Sequence, residues 1–227
     1  MSDLSWNVSS WKQEPLPWSW REKVLDFLKP GDHLLDLSPD DGEFLLSLRH
    51  PRELCFAACG QGQPEDAIKR LVSSGVKVKR QENPASLPFP DNSFDLLLDN
   101  GGPYELSEVH RVLKKSGFFL TQQRGGQDSA LLRRRLLPGE SDIRIDWNLE
   151  NQAPKFSKAG FRIMYRNQAY PNVRFFSEEA LRGYAKKRFG SFSDRMESDF
   201  HWYEEELQKR GFAENTEHHF LIIAKKK

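Results

Sequence analysis

Cysteine is nearly absent from this chain: Cys55 and Cys59 are the only two in 227 residues. They stand four positions apart on one segment, form no CxxC pair and close no loop. A disulfide scaffold is excluded, and buried thiols in a reducing compartment are expected. Long apolar runs are also missing. Nothing approaches the roughly 18 residues of a membrane helix, and MSDLSWNVSSWKQEPLPW has no apolar stretch behind a positive flank, so no signal peptide is expected. The expected location is the cytoplasm. Charge of one sign is lacking too. A formal net charge of +1 supplies no overall field toward nucleic acid or membrane. Three site motifs are absent: GxGxxG for a nicotinamide or flavin, GKS or GKT for a phosphate loop, and GxSxG for a hydrolase. The six histidines form no HExxH and share no ligand spacing with the cysteines, so no metal is expected.

What is present is a globular composition, with 37% hydrophobic residues, 16 Phe and 6 Trp. Residues 1–17 carry Trp6 and Trp11 and are broken by Pro15 and Pro17, which predicts an arm. A helix is expected over 18–28, stopped by Pro30-Gly31. HLLDL then gives a strand at Leu34–Leu37, and a helix follows over 42–48. ELCFAAC (53–59) and FDLLLDN (94–100) are continuous apolar runs of the kind buried on both faces of a parallel sheet. Between them lie a helix over 65–73 and VKVKRQ (76–81), whose alternation places it nearer the sheet edge. A helix over 105–113 ends in Lys114-Lys115-Ser116-Gly117, and GFFLTQQ is the next strand. Strands alternating with helices of about ten residues predict a parallel sheet covered on both faces. Beyond residue 137 the pattern changes: helix 151–159, strand FRIMYRNQ, helices 177–188 and 193–209, and a terminal strand, HHFLIIAKKK.

The order of these motifs is recognisable. LPFPDNSFDLLL (87–98), followed by SEVHRVLKKSGFFLTQQRGG (107–126), resembles class I S-adenosylmethionine-dependent methyltransferases, in particular the small bacterial single-domain, type 11-like group. KAGFRI and EHHFLIIAKK are similar to that family's closing antiparallel pair. The resemblance covers about residues 18–227. It implies an α/β fold with a Rossmann-like, mostly parallel sheet, an antiparallel last strand and helices on both faces. It also implies one methyltransferase-like domain over 1–227, with 1–17 as the arm and 174–212 as a helical cover inserted between the last two strands.

The cofactor implied is S-adenosylmethionine, and the partner a small-molecule acceptor. A pocket is expected after Leu37, Cys59, Gln81 and Leu98, at the carboxyl ends of the strands. Position by position, Asp36 matches the acid closing the first strand. The glycine turn falls on Ser38, Asp40 and Gly42, of which only Gly42 is glycine. The acid that accepts from the ribose hydroxyls falls on Cys59, a weak acceptor. The adenine-side residue is Asn83, and Asp99 with Asn100 follows the fourth strand. Asn100, with Tyr104, is expected to position the acceptor, and His218 is a candidate general base.

Ser-Pro-Asp-Asp also reads as a helix start, with Ser38 as cap and Pro39 in the first turn. Two readings therefore stand side by side: a methyltransferase, and a noncatalytic descendant that has lost the cofactor and serves as a binding or interaction module. Asp40, Asp41 and Glu43 are alternatively a cluster for a cationic small molecule. Arg133-Arg134-Arg135 reads as a solvated helix face before it reads as a nucleic-acid patch. Leu181, Tyr184, Ala185 and Phe189 form an apolar helix stripe. Trp18 and Trp20 either seal the core or wall the pocket.

Overall fold

The first described strand, β1 (Trp11–Gln13), docks part of the arm, for which the sequence allows either a docked or a mobile state. In a computed structural model, which describes residues 10–83, 85–137, 144–190 and 200–227, it pairs antiparallel with β8 (Asn172–Phe175), which pairs in turn with β9 (Ala213–Thr216). Trp6 and the start of the helix expected from Ser193 lie outside the described residues. The chain divides into two compact units.

The larger unit comprises Trp18–Gln123, Asn148–Gln168 and Phe220–Lys227. Its elements begin with α1 (Trp20–Phe27), β2 (Leu34–Asp36), α2 (Glu43–Ser47), β3 (Cys55–Cys59), α3 (Glu65–Ser73) and β4 (Lys77–Arg80). They continue with β5 (Phe94–Asn100), α4 (Leu106–Val112), β6 (Leu113–Arg124), α6 (Leu149–Lys158), β7 (Phe161–Ala169) and β10 (His219–Lys226). The sheet order is β4-β3-β2-β5-β6-β10-β7, mostly parallel with one antiparallel end. This is the expected α/β architecture. The apolar runs occupy the centre: Leu34, Leu35, Leu96, Leu97, Phe119 and Leu120 are fully buried. The alternating β4 lies at the edge, as its pattern predicted. From β2 the chain moves to β3 and β4 on one side and then to β5 and β6 on the other. The strand order therefore reverses between β2 and β5.

Two details differ from the sequence reading. Arg52–Leu54 forms a 3-10 turn after Pro51, so β3 begins only at Cys55. Lys114–Gly117 do not end a helix: α4 stops at Val112, and these residues fill a register shift where Phe94 pairs with Leu113 but Leu96 pairs with Phe118. A β-bulge absorbs the extra residues, with Ser116 at φ 66°.

The smaller unit comprises Met1–Pro17, Arg124–Trp147 and Ala169–His219. It contains the three-stranded sheet, α5 (Ala130–Leu136), α7 (Glu178–Phe189) and α8 (His201–Arg210). Its core gathers Leu132, Leu136, Val173, Phe175, Leu181 and Phe200. Leu181 and Ala185 of the predicted stripe are buried there, with Tyr184 and Phe189 packed alongside. Arg134 and Arg135 of the arginine run are exposed and Arg133 is half-buried, as in a largely solvated helix face. Arg133 lies over the Phe189 ring at 5.1 Å and Arg135 over Trp202 at 3.6 Å, both cation–π contacts.

Candidate functional site

Asp36 and Asp99 end the two strands that flank the reversal, where ligands of open α/β sheets bind. Asp36 pairs in register with Leu98, one residue before Asp99. Their exposures are 3% and 0%. Asp36 accepts from the Ser38 N–H at 3.0 Å. Asp99 accepts from Thr121 Oγ1 at 2.9 Å, from the Gly102 N–H at 3.1 Å and from the Gln123 amide. Burial pushes the Asp36 carboxyl up to about 7. The Ser38 N–H opposes this rise and the nearby Asp40 charge adds to it. Burial also pushes Asp99 up to about 7, against the Thr121 hydroxyl and with the charge of Asp36. In both cases removing water from a carboxylate is the dominant cost.

The turn between β2 and α2 is not the helix start its residues suggested. The N-cap of α2 is Gly42, at φ 81°, and the first helical N–H, that of Glu43, donates to Asp41 Oδ1 at 3.0 Å rather than to Ser38. Residues 39–42 close a turn through Gly42 N–H to Pro39 O at 2.7 Å, with Asp40 left-handed at φ 47°. Ser38 Oγ instead accepts the Asn100 N–H at 2.6 Å, which ties the turn to the loop after β5. A Cβ at Gly102 would come within 2.8 Å of Asp99 Oδ1 and 2.9 Å of Ser38 Cβ, so this junction tolerates no side chain there. Gly42 is explained by packing: a Cβ would meet Leu71 of α3 at 2.8 Å.

Trp20, Asp36, Ser38, Pro39, Asp40, Asp41, Phe44, Leu98 and Asn100 enclose a cavity of about 60 Å³. That is room for about two waters, against roughly 300–1,000 Å³ for a site that swallows a whole ligand. The two tryptophans divide their roles. Trp18 is buried and donates to Gln122 Oε1 at 2.6 Å, whereas Trp20 walls the cavity beside Phe44.

Cys59 ends β3 at 1% exposure. Its thiol is pushed up to about 11 by burial, with the Asp36 charge adding, and is therefore neutral. Asn83 is exposed in a bridge with Ser86, its Oδ1 accepting the Ala85 N–H at 2.9 Å. Asn100 is exposed and its Oδ1 accepts from Gln122 Nε2 at 3.1 Å. Tyr104 stands edge-on to Phe119 at 5.1 Å, and burial raises its hydroxyl pKa. Thr121 and Gln123, which hold Asp99, were not singled out from sequence. Their signal was a polar TQQ closing an otherwise apolar strand.

His218 belongs to the smaller unit. It is fully buried, its ring stacks on Tyr170 at 4.5 Å, and its Nδ1 accepts the Gln127 N–H at 3.3 Å. That bond leaves the neutral ring's proton on Nε2. A Cβ at Gly125 would come within 2.0 Å of the His218 ring, which explains the glycine. Beside it, Asp128, Glu217 and His219 bring three metal-type ligand atoms within 4.8 Å of one another. Guanidinium groups serve as cations there: Arg188 pairs with Asp128 and stands 3.6 Å from Glu217, and the charge of Arg124 also acts on both carboxylates. Glu217 also accepts from Tyr184 at 2.7 Å, Gln13 at 2.6 Å and His219 at 2.8 Å. Burial alone would raise its carboxyl. The His219 and Tyr184 hydrogen bonds and the Arg188 charge outweigh burial and hold it at about 2.

Residues 20–117, under half of the chain, match the family described as Methionine biosynthesis protein MetW. A demethylmenaquinone methyltransferase of Symbiobacterium thermophilum is 29% identical over 119 residues, covering 46% of this chain and 47% of that protein. The match thus spans about half the length of that relative. Among solved structures, a methyltransferase-titled protein of Bacillus halodurans superposes with a TM-score of 0.63 at 16% identity, over 91% of this chain and 98% of that one. The YcgJ protein of Bacillus subtilis gives 0.62 at 21% identity, over 91% and 97%. The chain has the class I methyltransferase fold. Among the described residues of this fold, no helix is long and apolar enough to cross a membrane.

The residues at the reversal fit a sulfonium donor at one end. Asp36, Asp40, Asp41 and Asp99 suit its positive charges, and the 60 Å³ cavity admits a small cationic group. At the ribose end, Cys59 offers a buried neutral thiol where hydroxyls need an acceptor.

Proposed function

We propose that the protein is an S-adenosylmethionine-dependent methyltransferase for a small-molecule acceptor, with a donor site that holds the cationic end more firmly than the ribose. The observation that carries this reading is the pair of buried carboxyls, Asp36 and Asp99, at the strand reversal beside the cavity. When bound, the donor supplies a methyl group already activated on sulfur, so the protein's task is alignment. In this reading Asp36, Ser38, Asp40, Gly42 and Asp99 form the wall that faces the sulfonium and ammonium. Cys59 and Asn83 stand toward the nucleoside. Asn100 positions the acceptor through its exposed amide. The relative's acceptor, a quinone precursor by its name, is one class to try first.

A second reading, a methyltransferase fold without its cofactor, is favoured by Cys59 and by the Ser38–Asn100 bond that closes the turn onto the following loop. Calorimetry with S-adenosylmethionine and its demethylated product separates the two. Methyl transfer requires saturable heat from both ligands. Silence at about 1 mM, where even a contact worth about −4 kcal/mol is seen, establishes the second reading.

A further inference from the structure

We propose that Asp36 and Asp99 share one proton at neutral pH, and that a cationic ligand entering the cavity at the strand reversal expels it. The second clause rests on the reading above; the first stands on the protein alone. Both side chains lie at the ends of adjacent central strands, at 3% and 0% exposure. Ser38 joins them: its N–H donates to Asp36, while its Cβ and Asp99 Oδ1 crowd the same point at Gly102. Among the described residues, the titratable groups acting on the pair are Asp40 of the turn, Cys55 and Cys59 of β3, and Tyr104 after β5. None is basic. The partners of Asp99 are a hydroxyl, an amide and a backbone N–H, all neutral.

Two buried carboxylates without a counter-cation cannot both stay charged, because burial and mutual repulsion each favour the protonated form. Holding one proton between them relieves both costs, and the pair then titrates as a unit rather than as two separate acids. The values near 7 agree with this geometry. The cavity touches Asp36 directly, so a positive charge there supplies the missing counter-ion and makes the proton redundant.

The test is carboxyl carbon NMR on the ligand-free protein labelled at aspartate, titrated from acid to mildly alkaline pH. Two aspartate signals that move together through the same two steps are expected, with the second step at or above neutrality. In Asp99→Asn the remaining Asp36 midpoint should fall by about one pH unit or more as the repulsion disappears. If every aspartate titrates below about pH 5, the usual carboxyl range, the shared proton is overturned. The titration needs no ligand, so it decides the point even if Asp99→Asn fails to fold or no donor binds. The second clause is read from the affinity for S-adenosylmethionine, which should rise about tenfold per pH unit just below neutrality and level off above it. A flat profile with measurable binding overturns that clause and leaves the methyltransferase reading standing. Absence of binding overturns the reading, and the second clause with it.

Discussion

Glu217 in the smaller unit and Asp99 in the larger are both buried acids, yet they ionise at opposite ends of the carboxyl range. Glu217 sits at about 2 and Asp99 at about 7. Asp99 lies deeper, and the two acids also differ in company. Glu217 faces the Arg188 guanidinium and accepts from Tyr184, Gln13 and His219. Asp99 has comparable hydrogen bonds but no cation. At Glu217 the His219 and Tyr184 hydrogen bonds and the Arg188 charge together outweigh the cost of removing a carboxylate from water, whereas at Asp99 neutral hydrogen bonds alone do not. The smaller unit therefore carries a finished ion network, and the larger one a charge balance left open at the fold's ligand end.

Removing the cation from the finished side should have the largest effect. Arg188→Met removes the guanidinium paired with Asp128 and Glu217 and leaves them Arg124 and neutral donors, and up to about 3–5 kcal/mol of unfolding free energy should be lost in urea titrations at neutral pH. A loss under about 1 kcal/mol, the worth of a solvated surface pair, would mean that the network is not buried in solution.

Next in size is the dependence on pH, where the two regions have opposite signs. Glu217 is held below its ordinary 4.5, so its contribution is present above that value and fades as pH falls toward about 2. Asp36 and Asp99 are raised from 3.8 to about 7, so the fold binds their protons more tightly than the unfolded chain does. Their contribution is complete below about pH 4 and is lost as pH rises through 7. Unfolding free energy should peak on the acid side of neutrality and fall by a few kcal/mol toward pH 8, and the melting temperature should fall with it. A rise from pH 5 to 8 would contradict the account of the larger unit.

Smaller effects test the junction itself. Gly102→Ala drives a methyl group against Asp99 and Ser38 and should cost about 1–3 kcal/mol. Ser38→Ala removes the acceptor for the Asn100 N–H and should cost about 1 kcal/mol. It should also speed hydrogen exchange at the Asn100 amide, and unchanged exchange there would show that the turn is not held to the loop.

The architecture of the larger unit was legible because its strands announce themselves. CFAAC and FDLLLDN are apolar on both faces, KVKR alternates at the edge, and EDAIKRLVS has its breakers in place. The smaller unit was opaque for the converse reason. WKQ, NVRF and AENT are three or four residues long and mostly polar, and they become strands only by pairing with segments distant in sequence, Trp11 with Phe175 and Asn172 with Thr216. No local pattern encodes that. At the site, Asp36 and Asp99 could be placed from strand ends alone. The function of Ser38 could not, because a helix cap and a bond to Asn100 make the same demand on a serine, and only the path of the loop after β5 decides between them.

Gly42 carries a last consequence. Its missing side chain is answered by Leu71 across the gap, and its left-handed backbone restricts what could replace it. Positions 42 and 71 are thus bound to vary together. Among close relatives, an asparagine at the first should travel with an alanine or another trimmed residue at the second, and the glycine should persist wherever the leucine does, whatever those proteins bind.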